Sequence, residues 1–330
     1  MKVSICIPTY NQAQYLAQAV RSAYNQSIKP IEIIVSDDCS TDNTKEVLQG
    51  LFKEIPVLRI VSQPVNLGIT NNSDSCLRLA VGDYIIRLDS DDYLSPLYLE
   101  KLSKLLINQK DAGYAHAAVQ EVDQYGKFLQ KRQLARKSGY QNSTTALQYA
   151  SKGYRVSANI IMFRKEALVK VNYLTNRPTS AEDYHLSASL AAAGFGNIYL
   201  NEILSFYRVW VDAGKARLRR KLMEITGFYK VFNEVLEPAY KEKGWNLDSL
   251  YKNRTAIACI QADCLSWKVY SHEEKMQLKE ALNTLSSSPK AKRIAWLYLN
   301  GYGQVLDIYS KLMYVLKSKF KQVFIQLRYK

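Results

Sequence analysis

The first 110 residues alternate short apolar runs with amphipathic stretches, and that rhythm leaves few folds open. Residues 3–8, 31–36, 57–61 and 84–88 read as buried strands. Between them the spacing predicts helices. The first follows Asn11 as its cap and carries Leu16, Ala19, Val20 and Ala23 on one side. A second follows Ser40 or Thr41 and carries Val47, Leu48 and Leu51. A third runs over 69–80 after the turn Asn66-Leu67-Gly68, and a fourth over 96–108 with Ser95 as N-cap. Strand and helix alternating at this spacing predict a layered α/β fold with a mostly parallel central sheet. Such sheets bind ligands beyond the carboxyl ends of their strands. Pro8-Thr9-Tyr10, Asp37-Asp38 and Asp89-Ser90-Asp91-Asp92 all stand at such ends, so one crevice is expected to gather them.

Beyond residue 110 the rhythm weakens. Asp123-Gln124-Tyr125-Gly126 separates 112–122 from 127–129 as a hairpin turn. Residues 130–155 are polar and basic and read as loop-rich, 160–163 as a strand, 182–193 as a helix ending at Gly194, and 203–209 as a last strand. From about 215 the pattern is helical. The expected division is therefore 1–214, an α/β unit, and 215–330, a basic helical region. Residues 215–330 hold 22 of the 45 Lys and Arg but only 10 of the 30 Asp and Glu. That imbalance points the region toward an anionic surface. The five cysteines are scattered without a CxxC pair, which suits a reducing cytosol. The chain enters its first strand without a signal-peptide layout, and no apolar run reaches the roughly 18 residues a membrane span requires. A cytoplasmic protein is expected, peripheral on the inner face of the membrane if the basic region docks there.

Three carboxylates within Asp89-Ser90-Asp91-Asp92 repel one another. A divalent cation offsets such repulsion, and aspartate oxygens suit Mg²⁺ or Mn²⁺, which complete their shells with substrate phosphates. The plainer alternative is a solvated turn ahead of the next helix. A calcium loop fits less well, because Leu94 stands where that motif requires glycine and Tyr93 where it requires an oxygen ligand.

Pro8-Thr9-Tyr10-Asn11, Asp37-Asp38-Cys39-Ser40-Thr41-Asp42, Leu88-Asp89-Ser90-Asp91-Asp92 and Ala181-Glu182-Asp183 occur in that order. Together with Asn66-Leu67-Gly68 and Tyr207-Arg208, this set resembles the family-2 glycosyltransferases of GT-A fold over about residues 2–212. The resemblance implies an inverting, metal-dependent transfer of sugar from a nucleotide donor, most often a UDP-sugar, to an acceptor hydroxyl. It gives Pro8, Thr9 and Tyr10 to the nucleoside pocket. It makes Asp38 the acceptor of the uracil N3–H, supported by Asp37, and sets Asp89 at ribose or a bound water. Asp91, with Asp92 sharing the role, would hold Mn²⁺ or Mg²⁺. Asp183 would be the general base and Glu182 an acceptor or loop-supporting residue.

Three departures stand out. His185 is the candidate for a basic residue usual after Glu182-Asp183, Trp210 stands where a histidine is frequent, and Ser73-Asp74 replaces an Arg-Asn pair. The acceptor implied is a glycan or lipid-linked saccharide of bacterial surface polysaccharide synthesis. Rival readings are a nucleotidyltransferase of similar layering, or a nucleotide- or carbohydrate-binding protein without turnover. Trp296, Tyr298, Tyr302, Tyr309, Tyr314, Phe320 and Phe324 interleave with Lys311, Lys317, Lys319, Lys321 and Arg328. That mixture suits a helix on anionic lipid, and equally a lid or an oligomerisation element. No RNA- or DNA-binding motif accompanies it, so nucleic acid is not expected as a partner.

Overall fold

The computed structural model describes residues 1–153, 156–157, 159–210, 220–306 and 308. Strand β1 (Val3–Thr9), helix α1 (Ala13–Tyr24), β2 (Glu32–Asp37), α2 (Thr44–Glu54), β3 (Leu58–Ser62), α3 (Ile69–Arg78) and β4 (Tyr84–Arg87) reproduce the expected alternation. Then come β5 (Tyr93–Leu94), α4 (Tyr98–Asn108), β6 (Ala112–Val122) and β7 (Phe128–Arg132). The sheet unit closes with β8 (Gly139–Gln141), α5 (Ser143–Ala150), β9 (Ile161–Arg164), α6 (Lys165–Lys170), α7 (Glu182–Ala192) and β10 (Gly196–Arg208). The polar stretch read as loop thus carries an edge strand and a helix. Asn142 caps that helix by accepting from the Thr145 N–H at 2.8 Å.

The strands lie in the order β3-β2-β1-β4-β9-β6-β10-β5, with β7 on β6 and β8 on β10. Along that path only β9 and β5 oppose the common direction, so the sheet is mostly parallel as expected. Strand periodicity sorts the core. Val3, Ile5 and Ile7 of β1 face the layer of α1, α2 and α4, while Cys6 faces α3, α6 and α7. In β4, Tyr84 and Ile86 share the first face and Ile85 the second. Arg87 therefore continues the Ile85 side and projects toward α7. This placement organises the site.

Strand β10 is long and shifts register against β6 near Leu200, Ile203 and Ser205. Such irregularities bend a strand and re-aim its end. The end here brings Arg208 and Trp210 to the acidic turn.

The C-terminal helices Lys221–Lys230, Leu247–Gln261, His272–Leu285 and Pro289–Leu299 build a second core around Phe232, Leu236, Leu250 and Leu282. That core also takes in Ala146 and Leu147 of α5, and Tyr184, Ala188 and Ala191 of α7. The contact is close: a Cβ on Gly227 would lie 2.2 Å from the Ser180 carbonyl oxygen, so only glycine fits there. Among the described residues no helix is long and apolar enough to cross a membrane. The aromatic and basic residues from Tyr309 to Arg328 lie outside the described residues.

Candidate active site

Three loops stand side by side at the carboxyl ends of the adjacent parallel strands β2, β1 and β4. Asn11, expected to cap α1, instead adopts φ 52° and binds the neighbouring loop. Its Oδ1 accepts from the Thr41 N–H at 2.8 Å, and its own N–H donates to Ser40 Oγ at 2.9 Å. Asp42 serves both helices, with Oδ2 accepting from the Ala13 N–H and Oδ1 from the Thr44 N–H, each at 3.0 Å. Ser40 and Thr41 are thus spent on joining loops rather than on capping.

Asp38 is buried, and both its oxygens are engaged. Oδ1 accepts from the Leu67 N–H at 2.7 Å and Oδ2 from the Gly68 N–H at 3.0 Å. The turn Asn66-Leu67-Gly68 is thereby clamped to the end of β2, with Gly68 at φ 79°, where a Cβ would be strained. Asp37 accepts from the Ser40 N–H at 3.2 Å. Beside them the Thr9 hydroxyl is buried without a protein partner, whereas Tyr10 is exposed. An unpaired buried hydroxyl at a strand end is costly unless a ligand completes it.

Arg87 is the residue that sequence reasoning missed. Only 3% exposed, its guanidinium lies 3.1 Å from Asp89 Oδ1, 3.0 Å from Asp183 Oδ1 and 3.6 Å from Glu182 Oε1. One buried cation thus clasps the acidic turn after β4 to the first turn of α7. The signal is in the sequence: a single arginine at the end of a strand otherwise buried and apolar, two residues before Asp89. Burial pushes the Asp183 carboxyl up to about 8, opposed by Arg87 and reinforced by Glu182 and Asp89. Glu182 is raised as well, chiefly by burial. Ala181, which caps α7, sits in the left-handed region at φ 66°, a conformation disfavoured for any residue with a Cβ. The strain lies immediately before Glu182-Asp183, against the Gly227 contact.

Arg208 fastens the acidic turn from the other side. Its backbone N–H donates to Asp92 Oδ1 at 2.7 Å and its Nε to the Asp91 carbonyl at 2.8 Å. The same guanidinium bonds Asp123 and Gln124 of the hairpin and lies over the Tyr15 ring. Trp210 Nε1 donates to Asp91 Oδ2 at 2.9 Å. Asp92 Oδ2 is buried without a partner. Burial, then repulsion from Asp91 and Asp89, holds the Asp92 carboxyl well above its ordinary range. Asp91 is also raised by burial, with the Trp210 bond opposing. An all-oxygen set with one orphaned carboxylate oxygen fits a hard divalent cation. No three His, Cys, Asp or Glu side chains among the described residues cage one unaided, so such a cation needs ligand oxygens too.

The departures have structural explanations. His185 does not supply the missing charge: burial and nearby Arg177 push it down to about 4, so it is neutral. The buried cation there is Arg177, which donates to His185 Nδ1 and to Ser189 Oγ, while His185 Nε2 faces Glu234 at 3.3 Å. Asp74 accepts from the Leu174 N–H at 2.7 Å and from Thr175 Oγ1 at 3.1 Å, anchoring the loop that leads to α7.

A family model described as glycosyl transferase family 2 matches residues 4–171. A chondroitin synthase of Pasteurella multocida is 32% identical over 192 residues, 58% of this chain and 19% of that protein. The chain thus spans about a fifth of the length of that relative. The structure of residues 1–349 of S. aureus TarS in complex with UDP superposes with a TM-score of 0.58 at 15% identity, covering 92% of each chain. The mannosyltransferase PcManGT of Pyrobaculum calidifontis, in complex with GDP-Man and Mn2+, gives 0.52 at 21% identity, covering 86% of this chain and 85% of that one. Both likenesses are of fold: the sheet is that of GT-A glycosyltransferases.

Proposed function

The chain belongs to glycosyl transferase family 2, and on that premise we propose that it moves a sugar from a UDP-sugar to an acceptor hydroxyl with inversion at the anomeric carbon. The observation that carries this reading is the Arg87 clasp, which joins a strand-end carboxylate suited to the donor, Asp89, to a buried candidate base, Asp183. Thr9, with its unpartnered hydroxyl, and the Asp37-Asp38 corner line the nucleoside side. Asp38 gives one lone pair of each oxygen to the turn and keeps the second for the uracil N3–H. The UDP complex of the TarS fragment supports a uridine donor.

Asp91, with Asp92 behind it, is the protein's contribution to a Mn²⁺ or Mg²⁺ site, a reading that the Mn2+ complex of PcManGT supports. When bound, the cation supplies Lewis-acid stabilisation to the leaving diphosphate. Asp183 takes the proton of the acceptor hydroxyl as its oxygen attacks the anomeric carbon opposite the leaving group. Glu182, 3.6 Å from the same arginine, orients that corner and meets the acceptor. The likeness to a bacterial chondroitin synthase supports a growing surface glycan as acceptor.

Titration calorimetry tests the donor class. UDP is expected to bind more tightly with Mn²⁺ than with EDTA; no binding removes the uridine donor, and binding indifferent to metal removes the cation. The surplus of Lys and Arg beyond residue 215 supports docking on anionic lipid. Binding to anionic vesicles should weaken with salt, because exposed charges are screened over about 8 Å at physiological ionic strength. Truncation after Leu306, which leaves the helix Pro289–Leu299 and its core contacts in place, should lower it, and equal binding by the truncated chain would assign the region to a lid or an oligomer contact.

A further inference from the structure

Trp210 stands 2.9 Å from the carboxylate to which the proposed function gives the cation. An indole N–H is only a donor, so Trp210 cannot itself ligate a metal. It places a hydrogen on Asp91 Oδ2 and so takes up a lone pair that a cation could otherwise use. The ring is fixed independently of Asp91. It meets Tyr15 edge-on with centroids 5.3 Å apart, and Tyr15 in turn lies under the Arg208 guanidinium at 4.2 Å. Tyr15 also donates its hydroxyl to the Gln124 carbonyl at 3.1 Å. The donor is therefore held in place by α1, the hairpin turn and β10 together.

From this geometry we propose that Trp210 is a positioning residue that satisfies Asp91 in the nucleotide-free protein. The divalent cation then enters with the diphosphate rather than ahead of it. The inference rests on the proposed function and deepens it. A hydrogen bond to an ionised carboxylate is among the stronger ones a side chain makes. A free cation must share Asp91 with that donor and gains no second protein ligand from Trp210. A cation already carrying diphosphate oxygens needs Asp91 less, so the indole penalises it less.

The test is Mn²⁺ binding followed by electron paramagnetic resonance, with and without UDP, on the full chain and on Trp210→Phe. Phenylalanine keeps a ring against Tyr15 and removes only the N–H. Without UDP, the variant is expected to bind Mn²⁺ about tenfold more tightly than the wild type. With UDP the gap should narrow to about twofold or less. Equal affinities without UDP, or a weaker variant, overturn the proposal. Failure of every form to bind Mn²⁺ even with UDP overturns it together with the cation assignment beneath it. A second readout follows the indole itself. Trp245, Trp267 and Trp296 all lie in the C-terminal helical region, so the emission change produced by Mn²⁺ with UDP should come from Trp210. That change should be present in the wild type and after Trp296→Phe, and absent after Trp210→Phe. Persistence of the full change in Trp210→Phe contradicts the proposal.

Discussion

Asp183→Asn is expected to retain nucleotide-sugar binding and lose sugar transfer by roughly 10²–10⁴-fold, the usual cost of removing a general base. Asparagine keeps the shape of the side chain and can still accept from Arg87, so the clasp survives while the proton acceptor disappears. Single-turnover transfer, measured beside donor binding, separates these effects, and an unchanged transfer rate would remove Asp183 from the role. Glu182→Gln should be milder, because Glu182 lies farther from the shared arginine, at 3.6 Å against 3.0 Å. The pH profile carries the same assignment. Burial raises Asp183 to about 8, with Arg87 opposing the rise. A base works ionised, so transfer should climb as pH rises through this range and fall on its acid side. A wild-type rate flat between about pH 6 and about pH 9 would contradict the assignment.

Arg87→Met should destabilise the protein by about 3–5 kcal/mol at alkaline pH, since removing one partner of a buried ion cluster leaves the others uncompensated. Asp89, Glu182 and Asp183 would then face one another without a cation. The sign of the pH dependence follows. The folded-state proton affinities of Glu182 and Asp183, raised by burial and held back by Arg87, would rise further above those of the unfolded chain, so protonation favours the folded form. The stability gap to wild type is widest above the folded-state values and closes as pH falls through them. Urea denaturation of both proteins across that interval measures it, and a gap independent of pH would deny Arg87 its electrostatic role. Transfer by the variant should also need a higher pH, because Arg87 is what holds Asp183 down.

Much of this was legible in the chain. The buried face of α1, formed by Leu16, Ala19, Val20 and Ala23, follows from helical spacing alone. The convergence of Thr9, Asp38 and Asp89 follows from strand ends in a parallel sheet. What escaped was anything set by contacts distant in sequence. Asn11, Ser40 and Thr41 have the right chemistry for caps, but a neighbouring loop competes for the same groups and wins. Arg87 sits in an apolar run in the sequence, and its partners at 182 and 183 lie nearly a hundred residues away. His185 has the chemistry of a stand-in charge, but Arg177, eight residues earlier, lies against it and takes that role.

The shared packing of α5 and α7 with the C-terminal helices has a consequence for how chains of this architecture can be recombined. A chimera that keeps the sheet and swaps everything after β10 would sever Tyr184, Ala188 and Ala191 from their neighbours. It would also pull away the glycine against which Ser180 and the strained Ala181 rest. Helix α7 and the C-terminal helices are therefore inherited as one piece. Exchanging the C-terminal helices means moving residues 143–150 and 180–192 along with them, or redesigning both sides of that seam at once.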